Sequence, residues 1–144
     1  MLTQLTEFAT NNALLALAFM ALLVLTVLNE LKQVTQKFSR ITPAGAVQLM
    51  NNEEDNVLIL DVREPSETAG GKIARATQIP VGSINQRISE LEKHRTKQVI
   101  VYCKTGTRSG IACKALNKAG FDQVHNMSGG VIAWQEAHLP LVKK

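Results

Sequence analysis

Charge is absent from Ala13 to Leu28, where the chain reads ALLALAFMALLVLTVL, and the uncharged stretch reaches back to Phe8. A helix built from it would be apolar on every face, and its length suits the roughly 17–25 residues that cross a hydrocarbon layer. Residues 8–28 therefore read as one transmembrane helix. The apolar positions Leu31, Val34, Phe38 and Ile41 follow at spacings of three and four, one stripe that would continue the helix as a stalk. Thr42-Pro43 reads as a helix start, a hydroxyl cap followed by proline at the first helical position, with the helix running to about Met50. A polar loop, Asn51 to Asn56, leads into Val57 to Val62, a run broken only by Asp61, as in a strand covered on both faces. Thr77 to Pro80 reads as a short strand. Ile84, Ile88 and Leu91 form a helix stripe, and Gln98 to Tyr102 is a second buried strand. Ile111, Ala112, Ala115, Leu116 and Ala119 form a helix face stopped by Gly120. Gln123 to Met127 and Val131 to Ala137 read as a last strand and a last short helix. Strands alternating with helices predict an α/β domain with a parallel sheet flanked by helices.

In such a fold ligands sit beyond the carboxyl ends of the strands, where Asp61 and Cys103 fall. Cys103-Lys104-Thr105-Gly106-Thr107-Arg108 joins a strand end to a helix start. A thiol there meets backbone N–H groups without intrahelical partners, at the positive end of a helix dipole. Those surroundings favour thiolate, the attacking form. Gly106 allows a tight bend, and Lys104 and Arg108 offer charge to an anion. The competing reading of Cys103 is a small buried strand-end residue. Thr105 and Thr107 can donate hydroxyl hydrogen bonds or simply fill polar positions. Ser109 reads as the N-cap of the following helix.

Three motifs in order carry a resemblance: Asp61-Val62-Arg63-Glu64-Pro65 after a strand, Cys103-x-x-Gly106-x-Arg108-Ser109, and Gly129-Gly130-x-x-Ala133-Trp134. Together they resemble the rhodanese family of sulfurtransferases over about Ile41 to Leu141. The resemblance implies that Cys103 is the nucleophile and that Asp61 and Arg63 lie beside the active loop. Asp61 is expected to be structural; for Arg63 a structural and a substrate role stay open. Arg108 either meets an anionic donor or holds the loop by a salt bridge, and Lys104 at the crest is the expected substrate contact. The chain departs from common single-domain members at Gly71-Lys72-Ile73-Ala74-Arg75-Ala76, where they often read Gly-His-Ile-x-Gly-Ala, and at Thr68, often aromatic. Those departures bear on substrate choice. Cysteine-based phosphatases place five residues between nucleophile and arginine; here four separate Cys103 from Arg108. The smaller loop suits one sulfur atom rather than a tetrahedral oxyanion.

Composition adds limits. A net charge of +4, one Trp and one Tyr give nucleic-acid binding little support. Two cysteines make no disulfide framework and fit a reducing compartment. Cys113 is expected to be carried away from the loop by its helix, His94, His125 and His138 are scattered, and no metal site or cofactor is expected. No Lys or Arg precedes Lys32, which argues against a cleaved signal peptide. Lys32, Lys37 and Arg40 follow the span while Glu7 is the charge before it, so the positive-inside rule puts the C-terminal side in the cytoplasm.

The expected organisation is a transmembrane helix and stalk over residues 1–40 and a rhodanese-like domain over 41–144. The expected protein is single-pass in the inner, cytoplasmic membrane, N-terminus outside, meeting a small sulfur donor and a thiol acceptor in the cytoplasm. Its partners would include the bilayer through residues 8–28, with a membrane-protein partner left open. A catalytically weak rhodanese-like module that recruits a membrane-associated partner is the competing class of function.

Overall fold

The computed structural model describes residues 11–34 and 38–143, the side chains of 29–34 excepted. The chain divides into two units, residues 1–36 and 37–144. In the first, helix α1 spans Ala13–Val34. Leu14, Leu17, Leu22 and Leu25 on it are all exposed, apolar side chains on more than one face. Among the described residues no helix is long and apolar enough to cross a membrane. The expected span begins at Phe8, outside the described residues, and Ala13 to Leu28 alone falls short of the roughly 17 residues a crossing requires.

The second unit is a five-stranded sheet in the order β1-β5-β4-β2-β3, every ladder parallel. Its strands are β1 (Ser39–Ile41), β2 (Val57–Asp61), β3 (Thr77–Gln78), β4 (Gln98–Tyr102) and β5 (Val124–Met127). Period-two alternation sends Leu58, Leu60, Val99 and Val101 to one face and Ile59, Ile100 and Tyr102 to the other. Both sets are buried because helices cover both faces. On the first face lie α4 (Ile84–Arg87), the 3₁₀ segment Ile88–His94 and α5 (Thr107–Lys118), through Ile84, Leu91, Ala112, Cys113 and Leu116. On the second lie α2 (Pro43–Asn52) and α6 (Gly130–Glu136), through Ala46, Val131 and Trp134. The remaining helix, α3 (Pro65–Thr68), follows β2. The cap read at Thr42 is present: its hydroxyl accepts from Gly45 N at 3.1 Å, with Pro43 opening α2.

Three expectations fail in whole or in part. The stripe Leu31-Val34-Phe38-Ile41 does not continue as a helix: Ile41 pairs with Met127 in the sheet and Phe38 is buried in the first core cluster. The helix expected through Ile84, Ile88 and Leu91 is α-helical only to Arg87 and then tightens to 3₁₀. On α5, Ala112 and Leu116 of the expected face are buried and Ala115 and Ala119 pack against the same core, but Ile111 is 58% exposed and Ser109 and Cys113 are buried instead.

Candidate active site

Strands β4 and β5 are neighbours, so the loops leaving their carboxyl ends meet. Cys103 leaves β4; its carbonyl accepts Val131 N at 2.8 Å, and Lys104 O accepts Ile132 N at 3.3 Å. The start of α6 thus braces the outgoing chain from behind. That close approach requires Gly130: its φ is +56°, and a Cβ there would lie 2.3 Å from Cys103 O.

The chain then folds over the sulfur. Gly106, at φ +99°, turns the loop into α5 and aims its own N–H at Cys103 Sγ, 3.1 Å away. Gly106 O is held by Asn126 Nδ2 at 3.0 Å, and Asn126 Oδ1 accepts the Ser109 hydroxyl at 2.6 Å. Ser109 is therefore not the N-cap expected from sequence. It lies inside the first turn of α5, buried, with its oxygen 3.5 Å from Sγ.

Burial by itself drives the Cys103 thiol up, but hydrogen bonds from the Ser109 hydroxyl and the backbone N–H groups of Ser109, Thr105 and Gly106 outweigh it. The thiol lies below its ordinary value as a result. A hydroxyl has one hydrogen, and Asn126 Oδ1 at 2.6 Å competes for it, so the backbone donors are the constant part of this stabilisation. Cys113 is the opposite case. Burial pushes its thiol to about 12, which keeps it protonated, and it is a free, buried thiol of the core on that face of the sheet.

Asp61 and Arg63 form a buried platform beneath this arrangement. Asp61 accepts Arg63 N at 3.0 Å, Arg63 Nη2 at 2.6 Å and the Tyr102 hydroxyl at 2.7 Å. Arg63 also donates to Gly71 O at 3.0 Å and Glu67 O at 3.3 Å, while Tyr102 Oη accepts Ile73 N at 3.1 Å. Arg63 is thus buried and engaged through Nε, Nη1 and Nη2 with groups of its own domain.

At the mouth, Lys104, Thr105 and Thr107 are exposed. Arg108 takes the salt-bridge alternative: Nη1 and Nη2 meet the two Glu67 carboxylate oxygens at 2.6 and 2.7 Å. The hydrogen bond from Arg108, with a backbone bond from Glu64, holds the Glu67 carboxyl at about 2. Two positions where the chain departs from the resembled pattern, Thr68 and Lys72, line one cavity of about 260 Å³ with Pro65, Ala69, Gln78 and Val142.

Sequence reasoning missed Glu67, Asn126 and Tyr102. Glu67 had a signal, since Glu64-x-x-Glu67 around Pro65 is a capping-box pattern and the reciprocal bonds are present. Asn126 stands at the carboxyl end of an expected strand. Gly129-Gly130 is visible as a motif, but its task of bracing Cys103 depends on a contact that the sequence does not show.

Residues 42–137 match the family model of the rhodanese-like domain. A protein of Allochromatium vinosum named sulfurtransferase is 42% identical over 90 residues, 62% of this chain and 82% of that one. The uncharacterised protein YibN of Escherichia coli K12 is 34% identical over 138 residues, 95% of both chains. A rhodanese-related protein of Thermoplasma volcanium superposes with TM-score 0.64 at 30% identity, over 74% of this chain and all of that one.

Proposed function

The chain belongs to the rhodanese-like domain family, and from that premise we propose that it is a sulfurtransferase working through a persulfide on Cys103. The Cys103 thiolate attacks the sulfane sulfur of a thiosulfate- or persulfide-type donor. A Cys–S–S bond forms, and sulfite or the donor thiol leaves with the bonding pair. A thiol or other nucleophilic acceptor then takes the outer sulfur and returns the thiolate, so both steps balance without an external oxidant. Lys104, Thr105, Gly106, Thr107 and Arg108 form the loop around that sulfur, and Asp61, Arg63 and Ser109 support it.

The observation that carries this reading is the Gly106 N–H at 3.1 Å from a buried Sγ whose thiol is lowered by loop hydrogen bonds. A cradle already donating to one sulfur atom suits thiolate and persulfide anion alike. Intact-mass measurement after exposure to thiosulfate or a small persulfide should show one added sulfur atom, localised to Cys103. No mass gain with either donor would reject the reading. It would leave the competing one, a rhodanese-like module recruiting a membrane partner, which the complete burial of the Cys103 side chain favours.

The proposal includes anchoring in the cytoplasmic membrane through residues 8–28, N-terminus outside, with the sheet domain facing the cytoplasm. Exposed apolar side chains on α1, including Leu14 at 83% and Leu17 at 69%, and the following Lys32, Lys37 and Arg40 support it. The protein should remain with membranes through high salt and alkaline washing, because burial of apolar surface does not depend on charge screening. Release by salt alone would sink the anchor.

A further inference from the structure

We propose that Glu67 sets the donor preference of the site, steering it toward persulfides carrying at most one charge on the sulfane group and away from the thiosulfate dianion. The inference rests on the sulfurtransferase reading and narrows its substrate class. Arg108 is the loop residue best shaped to receive an oxyanion, since its fork can meet two oxygens at once. Both ends of that fork are already occupied by Glu67 at 2.6 and 2.7 Å, with the pair about 30% exposed at the rim. Glu67 is itself fixed, through the capping box that joins it to the backbone of Glu64, and Glu64 also acts on Arg108.

Among the described residues Arg108 at the mouth is paired with Glu67 and also feels Glu64, so that with exposed Lys104 the formal charges of the four sum to zero, and Arg63 is neutralised beneath by Asp61. The backbone N–H groups that favour negative charge are turned onto Sγ. A thiolate in this frame leaves the approach negative. Thiosulfate brings two charges directly beside the bond to be broken; a persulfide brings one or none. Both donors deliver the same sulfur atom, so the difference between them is electrostatic and lies at the rim.

The test compares kcat/KM for thiosulfate and for cysteine persulfide on the same preparation of full-length protein, reading sulfur gained at Cys103. Glu67→Gln removes the charge and frees Arg108 while preserving shape. The thiosulfate-to-persulfide ratio should rise about five- to tenfold, the order expected for one partly exposed unit charge. Glu67→Asp keeps the charge and should leave the ratio within about twofold of the parent protein. Since the ratio is taken within one preparation, partial loss of folding cancels. An unchanged or falling ratio in Glu67→Gln would overturn the inference while leaving the sulfurtransferase reading in place. An equal rise in Glu67→Asp would also overturn it, since loop distortion alone would then explain the change. Failure of the parent protein to gain sulfur from either donor would instead remove the reading on which the inference stands.

Discussion

Replacing Gly130 by alanine should damage both stability and sulfur loading. The new Cβ would sit 2.3 Å from Cys103 O and 2.6 Å from Lys104 C and O. Cβ contacts under 3.0 Å essentially never occur, so the loop must retreat by about 0.7 Å or more. The backbone at φ +56° adds a left-handed penalty of about 1–2 kcal/mol for a residue with a Cβ. Overpacking in a site without free space adds about 1–3 kcal/mol. A loss of about 2–5 kcal/mol follows, and the retreat strains the bonds from Val131 N to Cys103 O and from Ile132 N to Lys104 O. Both anchor the segment that positions Sγ, and a misplacement approaching 1 Å can reduce rate about a hundredfold. Denaturant unfolding followed by the fluorescence of Trp134, the single tryptophan and buried in the domain core, measures the first effect. The rate of sulfur gain by intact mass measures the second. Gly70→Ala is the control, because a Cβ at that position would meet nothing within 4 Å, and it should change stability by no more than about 0.5 kcal/mol. If Gly130→Ala costs under about 1 kcal/mol and loads sulfur at the parent rate, the α6 buttress does not position the nucleophile.

Further outcomes follow from the two thiols and from loop length. Cys103→Ser should abolish persulfide formation, while Cys113→Ser should largely spare it because that thiol, near 12, stays protonated; equal loss in both variants would contradict a single nucleophile. The alkylation rate of Cys103 should hold as pH falls below about 8.5, the ordinary thiol value, and drop only through the lower folded-state value. By linkage the thiolate contributes stability above about pH 8.5 that is lost as pH falls through that lower value, and a reactivity midpoint at or above 8.5 would count against the hydrogen-bonded thiolate. One residue inserted between Gly106 and Thr107 should slow sulfur transfer at least about tenfold, by moving the Gly106 donor off Sγ and breaking the lead into α5; transfer at the parent rate would show that loop length is not decisive.

Much of the domain was legible because its causes are local. Residues 57–60 and 99–102 are continuous apolar runs within β2 and β4, and burial on both faces is the condition that produces such runs. Thr42 and Pro43 carry a helix start in their own side chains. Cys103 at a strand end before a glycine turn already implied backbone donors near sulfur. Other assignments depended on which surface happens to face which. The pattern Leu31-Val34-Phe38-Ile41 is helical in spacing, yet pairing of Ile41 with Met127 draws the segment into the sheet, where ladder bonds and burial of Phe38 outweigh local preference. Ser109 has the chemistry of a cap, but the strand order brings Asn126 alongside and turns its hydroxyl inward. Arg108 had two destinations in the sequence; the position of α3 selects Glu67. Ile111 and Cys113 are both apolar and two positions apart, and only the docking of α5 on β4 and β5 decides that Cys113 is buried and Ile111 exposed. Local pattern determined where the two central strands run, where α2 begins and where the nucleophile stands, because propensity and periodicity act within a few residues. The tertiary structure decided which polar groups reach the sulfur and which charges cancel at its mouth, because those depend on contacts between segments far apart in the chain.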